Sequence, residues 1–322
     1  MIFLNDGNII KKYSEYFSLQ EVGQGIYAAI AVEGLGAMGN AGIIDMGNFT
    51  VIFDTFNIQQ AAEDLKQASE ELTGNKIRYV INSHWHGDHV RGNQVFKDAD
   101  IIASGTTAQL INKLQLERIK NQKTFLPKLY EDLKSMKEKL KTEEEKSAKD
   151  RLEMDISFLT EIGKSLETLQ LCPPTVTFDS RLVIYGTKRH IEILALGTSH
   201  TEDDSIVYLP LEKIAFMADV GSVNNHPMFE HGNPEKWAQV LKKVRQMDID
   251  IIVPGHGNVG QVMELDKVIK YIEKVMDITE DFINQGHSID EINSIEIPKE
   301  FLNWKASQIF YQNINFLFRK KI

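Results

Sequence analysis

The segment NSHWHGDHVRGN at residues 82–93 constrains the fold more than any other part of the chain. Three of the nine histidines and one aspartate fall within positions 84–89, directly behind the apolar run at residues 77–81. His84 and His86 are two residues apart, which is the spacing that points side chains to one side of an extended chain. We therefore predict a buried strand in KIRYVIN, with the histidines in the loop that leaves its C-terminal end.

This cluster has the chemistry of a metal site. Neutral imidazole nitrogens suit a borderline metal such as zinc. We expect Gly87 to let the backbone turn so that Asp88 and His89 can face a second ion. The alternative is a patch of polar loop residues, but clustered histidines without a ligand would repel one another whenever they are protonated. Metal binding is therefore the favoured interpretation.

Three further metal-ligand candidates follow apolar strand patterns elsewhere in the chain. They are His200 in LALGTSHTEDD, Asp219 in IAFMADV and His256 in IIVPGHGNVG. An earlier aspartate, Asp54, ends the strand pattern VIFDTF. Loops that leave strands at one edge of a sheet can converge, so these residues are candidates for one site.

Composition excludes several classes of protein. A net charge of −10 and a pI near 5.5 disfavour a nucleic-acid partner. The single cysteine, Cys172, rules out an internal disulfide and a thiolate-rich zinc site, and its position beside two prolines disfavours a role as nucleophile. The N-terminus lacks a signal-peptide pattern and no stretch is apolar enough to span a membrane, so we expect a cytoplasmic protein without a membrane partner.

The pattern along the chain predicts strands and helices in two strand-rich halves. GIYAAIAV, AGIIDMG and FTVIFDTF indicate strands, and IQQAAEDLKQASEELTG indicates a helix ending at Gly74. Residues from about 107 to 171 are rich in Lys, Glu and Leu and predict a helical insertion. Strand patterns then return in LVIY, HIEILAL, DSIVYLP, KIAFMA and DIIVP, and the tail at about 289–322 is predicted to be helical and to pack on the body.

The ordered set of an early aspartate, HxHxDH, a later His, an Asp and a final His resembles the metallo-β-lactamase superfamily over roughly residues 20–275. The resemblance implies a single domain over residues 1–322, an αββα sandwich of the α+β class with the helical insertion between its halves. It implies one ion held by His84, His86 and His200, a second held by Asp88, His89 and His256, and Asp219 bridging both. Asp54 would orient the HxHxDH loop by hydrogen bonds without touching metal.

The resemblance also implies a hydrolytic mechanism. Two Zn²⁺ ions would supply a bridging hydroxide that attacks a carbonyl centre, with Fe or Mn as alternatives to zinc. Asp88 could additionally hold or accept a proton. The expected substrate is a small ester, thioester or lactone, because Asp219 resembles the bridging aspartate of glyoxalase II and its relatives.

Other functions remain open from the sequence. Gly232 and Asn233 match a pair in zinc β-lactamases, but Asp219 replaces their cysteine ligand and Ser222 replaces their lysine. A β-lactam hydrolase is therefore the alternative, and a phosphodiesterase or nuclease is a further one. A third alternative is a non-catalytic binding module that is stabilised by bound metal ions and whose helical insertion binds a partner.

Three residues are candidate substrate contacts: Trp85, His226 and Asn233. Trp85 lies between two ligands and either forms a pocket wall or packs beneath the loop. His226, like His231, follows Asp219 in a loop that we expect to run past the metals. The exposed helical insertion would cover the mouth of the site or form a subunit contact in a homodimer.

Overall fold

A computed structural model describes residues 12–321 of the chain, and within them two compact units can be distinguished. The first comprises residues 12–178 together with Tyr185–Arg189, and the second comprises Asp179–Ile184 together with residues 190–321. Residues 1–11, on which the expectation of a missing signal peptide partly rests, lie outside the described residues. The single domain over residues 1–322 stays a prediction.

The first unit is built on a seven-stranded mixed sheet whose strands follow one another in sequence order. The strands are β1 (Phe17–Gly23), β2 (Ile26–Ala31), β3 (Ala41–Asp45), β4 (Thr50–Phe53), β5 (Ile77–Ile81), β6 (Asp100–Ser104) and β7 (Val176–Phe178). β1 to β4 pair antiparallel, and β4 to β7 pair in parallel. Because β4 and β5 are parallel neighbours, the residues that follow them, Asp54 and Asn82, lie at the same edge of the sheet.

The helix α1 (Gln59–Thr73) connects β4 to β5 and confirms the predicted amphipathic pattern. Ala61, Leu65 and Ala68 are fully buried against the sheet. The helix ends at Gly74, which has φ 67°, a left-handed conformation that a glycine adopts without steric cost.

Helices fill the predicted insertion. After the short turn α2 (Gly87–Val90) and strand β6, the chain forms α3 (Gly105–Leu110), a π-helical turn (Ile111–Gln115), α4 (Leu116–Thr124), α5 (Leu126–Thr142) and α6 (Lys146–Thr168). Pro127 occupies the first turn of α5, where its missing N–H costs no helical hydrogen bond. Gly163 lies within α6, and a Cβ there would stand 2.9 Å from Leu129 of α5, so the glycine allows the two helices to pack closely.

The second unit contains a six-stranded sheet with the order β13-β12-β11-β10-β9-β8. Its strands are β8 (Arg181–Tyr185), β9 (His190–Gly197), β10 (Asp204–Leu209), β11 (Ile214–Val223), β12 (Ile251–Gly257) and β13 (Gly260–Gln261). Its helices are α7 (Pro234–Val244), α8 (Glu264–Asn284) and α9 (Gln308–Lys321). β11 and β12 are parallel, and the remaining pairs of this sheet for which a register is defined are antiparallel.

The C-terminal tail packs into the core of the second unit, as the sequence predicted. Phe301, Trp304 and Phe310 are buried in one cluster with Tyr271 and Trp237. Trp304 stacks on Tyr271 with ring centroids 5.4 Å apart. The tail is not helical throughout, because residues 295–307 connect a 3-10 turn (Ile289–Ser294) to α9 without a further helix.

The sequence patterns missed four strands, namely β1, β6, β7 and β13. The two shortest span two and three residues, too few to display an alternating pattern. Among the described residues 12–321, no helix is both long and apolar enough to cross a membrane.

Candidate metal centre

In the first unit, the HxHxDH segment brings its four polar side chains together directly behind β5. The rings of His84 and His86 lie 4.6 Å apart between centroids, and those of His84 and His89 lie 4.4 Å apart. Asp88 Oδ2 lies 3.6 Å from His89 Nε2. The three histidines are buried and Asp88 is half-buried, so this unit confirms that the segment forms one cluster.

Gly87 has a different role from the one predicted. Its backbone is not in the left-handed region, because it begins the right-handed turn α2. A Cβ at this position would instead lie 2.7 Å from Arg91 Nε. The glycine therefore lets the Arg91 side chain pass close to the backbone, and it is not needed here for a positive φ.

Asp54 holds the HxHxDH segment from beneath. Its Oδ1 accepts a hydrogen bond from the Ser83 backbone N–H at 2.8 Å, and its Oδ2 accepts one from the Ser83 hydroxyl at 2.7 Å. The same Oδ2 lies 2.8 Å from His89 Nδ1. A carboxylate accepts here, so Nδ1 carries the proton and the lone pair of His89 is on Nε2, the atom needed for a metal.

Burial and hydrogen bonding act on the Asp54 carboxyl group in opposite directions. Complete burial raises its pKa, whereas the charge and hydrogen bond of His89 and the two hydrogen bonds of Ser83 lower it. Asp54 adopts a left-handed backbone with φ 55°, a conformation that aspartate and asparagine tolerate better than most residues. The strained turn places the carboxylate directly behind the histidine cluster.

In the second unit, Asp219 lies between two histidines. Its Oδ2 is 3.2 Å from His200 Nε2 and 3.3 Å from His256 Nε2. Two ligand atoms bound to one tetrahedral ion at about 2.1 Å would lie about 3.4 Å apart. The observed distances therefore suit donors that share ions.

Parallel pairing of β11 and β12 brings Asp219 and His256 together, although the register between the strands shifts at this point. Gly255 precedes His256 and faces the aspartate. A Cβ at Gly255 would lie 1.9 Å from Asp219 Oδ1, so any other residue would displace the carboxylate. In the first unit, a Cβ at Gly39 would likewise lie 2.8 Å from the ring of His89.

His200 is oriented by the backbone of the loop after β11. Its Nδ1 lies 3.1 Å from the carbonyl oxygen of Met228, which can only accept a hydrogen bond, so Nδ1 donates and Nε2 keeps its lone pair towards Asp219. Asn313 of α9 fixes both sides of Met228. It accepts from the Phe229 N–H at 2.9 Å and donates to the Pro227 carbonyl at 2.7 Å.

Asp204 holds the two neighbours of His200 in the chain, Ser199 and Thr201. Its carboxylate accepts from the Ser199 hydroxyl at 2.6 Å and from the backbone and hydroxyl of Thr201, each at 2.8 Å. The group is completely buried, which raises its pKa against the opposing effect of these bonds. The loop that carries His200 is thus held by a buried carboxylate, like the loop that carries His89.

The donor set fits metal ions of the zinc, iron or manganese type. It consists of imidazoles and carboxylates without thiolates, with ring orientations fixed by carboxylate and carbonyl groups. These His and Asp side chains are of a kind and at a spacing that could hold metal ions. Gly39 beside His89 and Gly255 beside Asp219 leave space for these two side chains that a Cβ atom would occupy.

The candidate substrate contacts have structural roles that the sequence did not resolve. Trp85 is 1% exposed and packs with Val90 and Ile111, so packing beneath the loop is what the structure shows for it. Asn233 caps α7 by accepting from the Lys236 N–H at 3.0 Å, and its side chain is half-buried. Contact of either residue with a substrate stays a prediction.

His226, in the loop expected to run past the metals, has a side chain that is 2% exposed within the aromatic core of the second unit. Its Nδ1 lies 3.0 Å from the Tyr271 hydroxyl, and its ring packs edge-on against Trp304. Burial lowers its pKa to about 4, against a smaller opposing effect of a hydrogen bond to the Phe301 backbone. This placement gives no support to a substrate contact.

The buried His226 should make stability depend on pH. The unfolded chain gains a proton at this residue near pH 6.5, whereas the folded chain resists it until about pH 4, so stability is lost as pH falls between these values. We expect His226→Gln to remove about 2 kcal/mol of this acid dependence. Urea unfolding of both chelator-treated proteins at pH 7.5 and pH 4.5 measures it, and identical pH dependence would contradict the assignment.

Comparison with known proteins identifies the family. Residues 35–256, more than half of the chain and including every predicted ligand, match the family model described as the metallo-beta-lactamase superfamily. The chain therefore belongs to the metallo-β-lactamase superfamily, a superfamily of hydrolases. The resemblance inferred from the ordered His and Asp motifs is confirmed.

One similar curated protein is the linear primary-alkylsulfatase of Pseudomonas sp. It is 22% identical over 262 residues, which are 77% of this chain and 48% of the relative. The chain thus spans about half the length of this relative. Its activity is not thereby assigned to the chain.

Solved metallo-β-lactamase structures share the fold. The enzyme from Pontibacter korlensis gives a TM-score of 0.58 at 15% identity, covering 80% of this chain and 99% of that one. DIM-1 gives 0.55 at 18% identity, and DIM-1 exposed to ceftazidime gives 0.56 at 17%, each covering 80% of this chain and 97% of the other. The predicted fold class is confirmed, while partners, oligomeric state and cellular compartment stay predictions.

Proposed function

We propose that the chain is a dinuclear metal-dependent hydrolase acting on a carbonyl group of a small ester, thioester or lactone. The single observation that carries the proposal is the Asp219 carboxylate, with one oxygen within 3.3 Å of two histidine Nε2 atoms. A carboxylate between two imidazoles suits a ligand shared by two ions. Family membership supports the joining of both clusters in one centre, because one family model spans them.

Each predicted ligand has a role in the proposal. His84, His86 and His200 would hold one ion. Asp88, His89 and His256 would hold the other, and Asp219 would contact both. Bound metal ions would lower the pKa of water and polarise a carbonyl oxygen.

The residues behind the ligands would keep the centre in place. Asp54 holds the proton of His89 on Nδ1, and the Met228 carbonyl does the same for His200. Asp88 is half-buried while His84, His86 and His89 beside it are buried, so within the HxHxDH segment it is the ligand best placed to exchange a proton with solvent or substrate. We propose this proton transfer as its catalytic role.

A sulfate ester is a second candidate substrate. The observation that favours it is the similarity to the linear primary-alkylsulfatase, which covers 77% of this chain. The similar metallo-β-lactamase structures do not support β-lactam hydrolysis as the activity of this chain, because at 15–18% identity they show the fold alone. Ser222, at the position where a lysine would bind the drug carboxylate, is buried and donates to the Asn225 carbonyl at 2.7 Å.

A substrate panel with and without metal tests the proposal. We expect the metal-replete protein to hydrolyse a chromogenic ester, thioester or lactone, to lose this activity on chelation, and to regain it with zinc, iron or manganese. The panel includes an alkyl sulfate, a cephalosporin and a phosphodiester. Turnover of only one of these three would replace the carbonyl ester as substrate, and no turnover by a metal-loaded sample would favour a binding module.

A further inference from the structure

A cavity of about 490 Å³ adjoins the HxHxDH turn within the first unit. Gly87 and Asp88 form part of its wall, so it reaches a proposed metal ligand. The remaining lining residues come from the turn after the motif, from two earlier loops and from the helical insertion: Met38, Asn57, Arg91, Gln115, Arg118, Asn121, Gln122, Phe158 and Ile162. Its volume is in the range of pockets for small organic molecules.

Arg91 faces this cavity with its guanidinium group held by neutral amide oxygens. It donates to Gln122 Oε1 at 2.6 Å, to Asn57 Oδ1 at 3.2 Å and, more weakly, to Gln115 Oε1 at 3.5 Å. These acceptors fix the orientation of the guanidinium plane without neutralising its charge. Burial and the like charge of Arg118 both lower the pKa of Arg91, while the charge of Asp88 raises it.

Arg118 of α4 adds a second cationic group to the same wall. Its guanidinium carbon lies 4.5 Å from the ring centroid of Trp85, the residue between His84 and His86. The neighbouring Gln115 donates to the Trp85 carbonyl at 2.9 Å, which ties the insertion to the histidine segment. The π-helical turn and the start of α4 are therefore held against the motif, and α4 carries a charged side chain to the cavity.

The charge of this cavity is unbalanced. Among the described residues that line it, Asp88 alone carries a carboxylate, against the two arginines. A metal ion bound to Asp88 would offset that negative charge as well. Arg91 is half-buried and Arg118 is exposed, so the two arginines outnumber the one carboxylate of the lining and leave it one net positive charge. Guanidinium groups match planar or tetrahedral oxyanions in geometry.

Part of the lining is apolar. Met38, Phe158 and Ile162 supply a thioether, a phenyl ring and an aliphatic side chain. Phe158 and Ile162 belong to α6, so the insertion provides both the apolar and part of the cationic lining. A molecule that fits this cavity would combine an oxyanion with a hydrocarbon portion.

We propose that this cavity binds the oxyanion head group, a carboxylate or a sulfate, of an amphiphilic substrate, with Arg91 and Arg118 recognising the charge. The inference rests on the proposed function, because it places the substrate beside the ligand Asp88. It names a specificity determinant that the family motif does not contain. The alternative is that Arg91 only connects the insertion to the motif. Its replacement would then lower the stability of the protein and leave the preference for anionic substrates unchanged.

The first experiment compares two esters of similar size on the metal-loaded protein, neutral 4-nitrophenyl butyrate and anionic mono-4-nitrophenyl glutarate. For Arg118→Gln and Arg91→Gln we expect the ratio of kcat/KM for the anionic ester to that for the neutral ester to fall about tenfold or more, the range of a charged hydrogen bond. Arg91→Lys should restore part of it. The matched control is Lys120→Gln, an exposed residue of α4 outside the lining, which should leave the ratio unchanged.

The second experiment measures binding without turnover. Isothermal titration of the wild-type protein with sodium decanoate, sodium decyl sulfate and neutral octyl glucoside, below their micellar concentrations, should show preferential binding of an anion that weakens about tenfold or more in Arg118→Gln. Elemental analysis confirms that the variants keep their metal. Hydrolysis of decyl sulfate would assign the head group as sulfate, and tighter binding of decanoate as carboxylate.

The outcomes separate the two hypotheses. Anion binding that depends on Arg118, in a protein that hydrolyses no ester, would support the proposal of an anion-binding cavity and overturn the proposed function. Ester hydrolysis in which both arginine variants keep the wild-type ratio of kcat/KM for the anionic and neutral esters would support the proposed function and overturn the proposal of an anion-binding cavity. Equal loss of decanoate and octyl glucoside binding in Arg118→Gln would also overturn it, since charge would then not be what is recognised.

Discussion

Asp219→Asn should lose both metal ions and hydrolytic activity together. Asparagine keeps the shape of the side chain but removes the negative charge, and it replaces one oxygen by an amide that cannot bind metal. Since residues that merely orient ligands are worth about 10- to 100-fold in metal affinity, loss of a shared ligand should exceed about 100-fold and leave less than about 1% of the activity. Chelator competition and elemental analysis of the purified variant measure the affinity for each ion.

The matched control for this variant is Asp248→Asn. Asp248 is 68% exposed and pairs with Lys213 at 2.8 Å on the surface of the same unit, so its loss should change stability by less than about 1 kcal/mol and leave the metals in place. A variant of Asp219 that loses only one ion would contradict its bridging role. Full occupancy would contradict its role as a ligand.

Asp54→Asn should weaken metal binding about 10- to 100-fold although Asp54 is not expected to touch the metal. Asparagine tolerates the left-handed φ of 55° at this position, so the backbone can stay as it is. However, its single oxygen cannot accept from Ser83 and His89 as the carboxylate does. His89 would then lose the acceptor that keeps its proton on Nδ1.

Stability and metal affinity must be separated in this test. An unsatisfied buried polar group costs about 1–3 kcal/mol, so Asp54→Asn should also lower the free energy of unfolding of the metal-free protein. Ile43→Val is a suitable control, because it removes a methylene group from the fully buried core of the same unit and should cost about 1 kcal/mol without affecting metal. Unchanged zinc affinity in Asp54→Asn would show that His89 does not need its carboxylate partner.

The ligand candidates could be found from the sequence because each signal is local. An apolar run predicts a strand, and the polar residue that follows it lies at the edge of the sheet. His84 and His86 behind β5 and Asp54 behind β4 lie where this argument puts them. The missed strands β7 and β13 show its limit, since three and two residues cannot display a periodic pattern.

The residues that orient the ligands could not be found in this way. Asn313 is 113 residues beyond His200, and it acts through the backbone of Pro227 and Phe229. No periodicity links an asparagine in a C-terminal helix to a loop that far away. The burial of His226 could not be found for the same reason, because its surroundings come from α8 and the tail.

The sequence by itself determined the family, the class of fold and the chemical nature of the donors, because strand periodicity and the order of His and Asp along the chain are properties of short segments. Only the tertiary structure decided which nitrogen of His89 and of His200 carries the lone pair for a metal, how closely the Arg91 side chain approaches Gly87, and that Arg91 and Arg118 line one cavity. These features depend on contacts between residues far apart in sequence. The physical reason is that hydrogen-bond geometry and burial arise from packing, which no local pattern encodes.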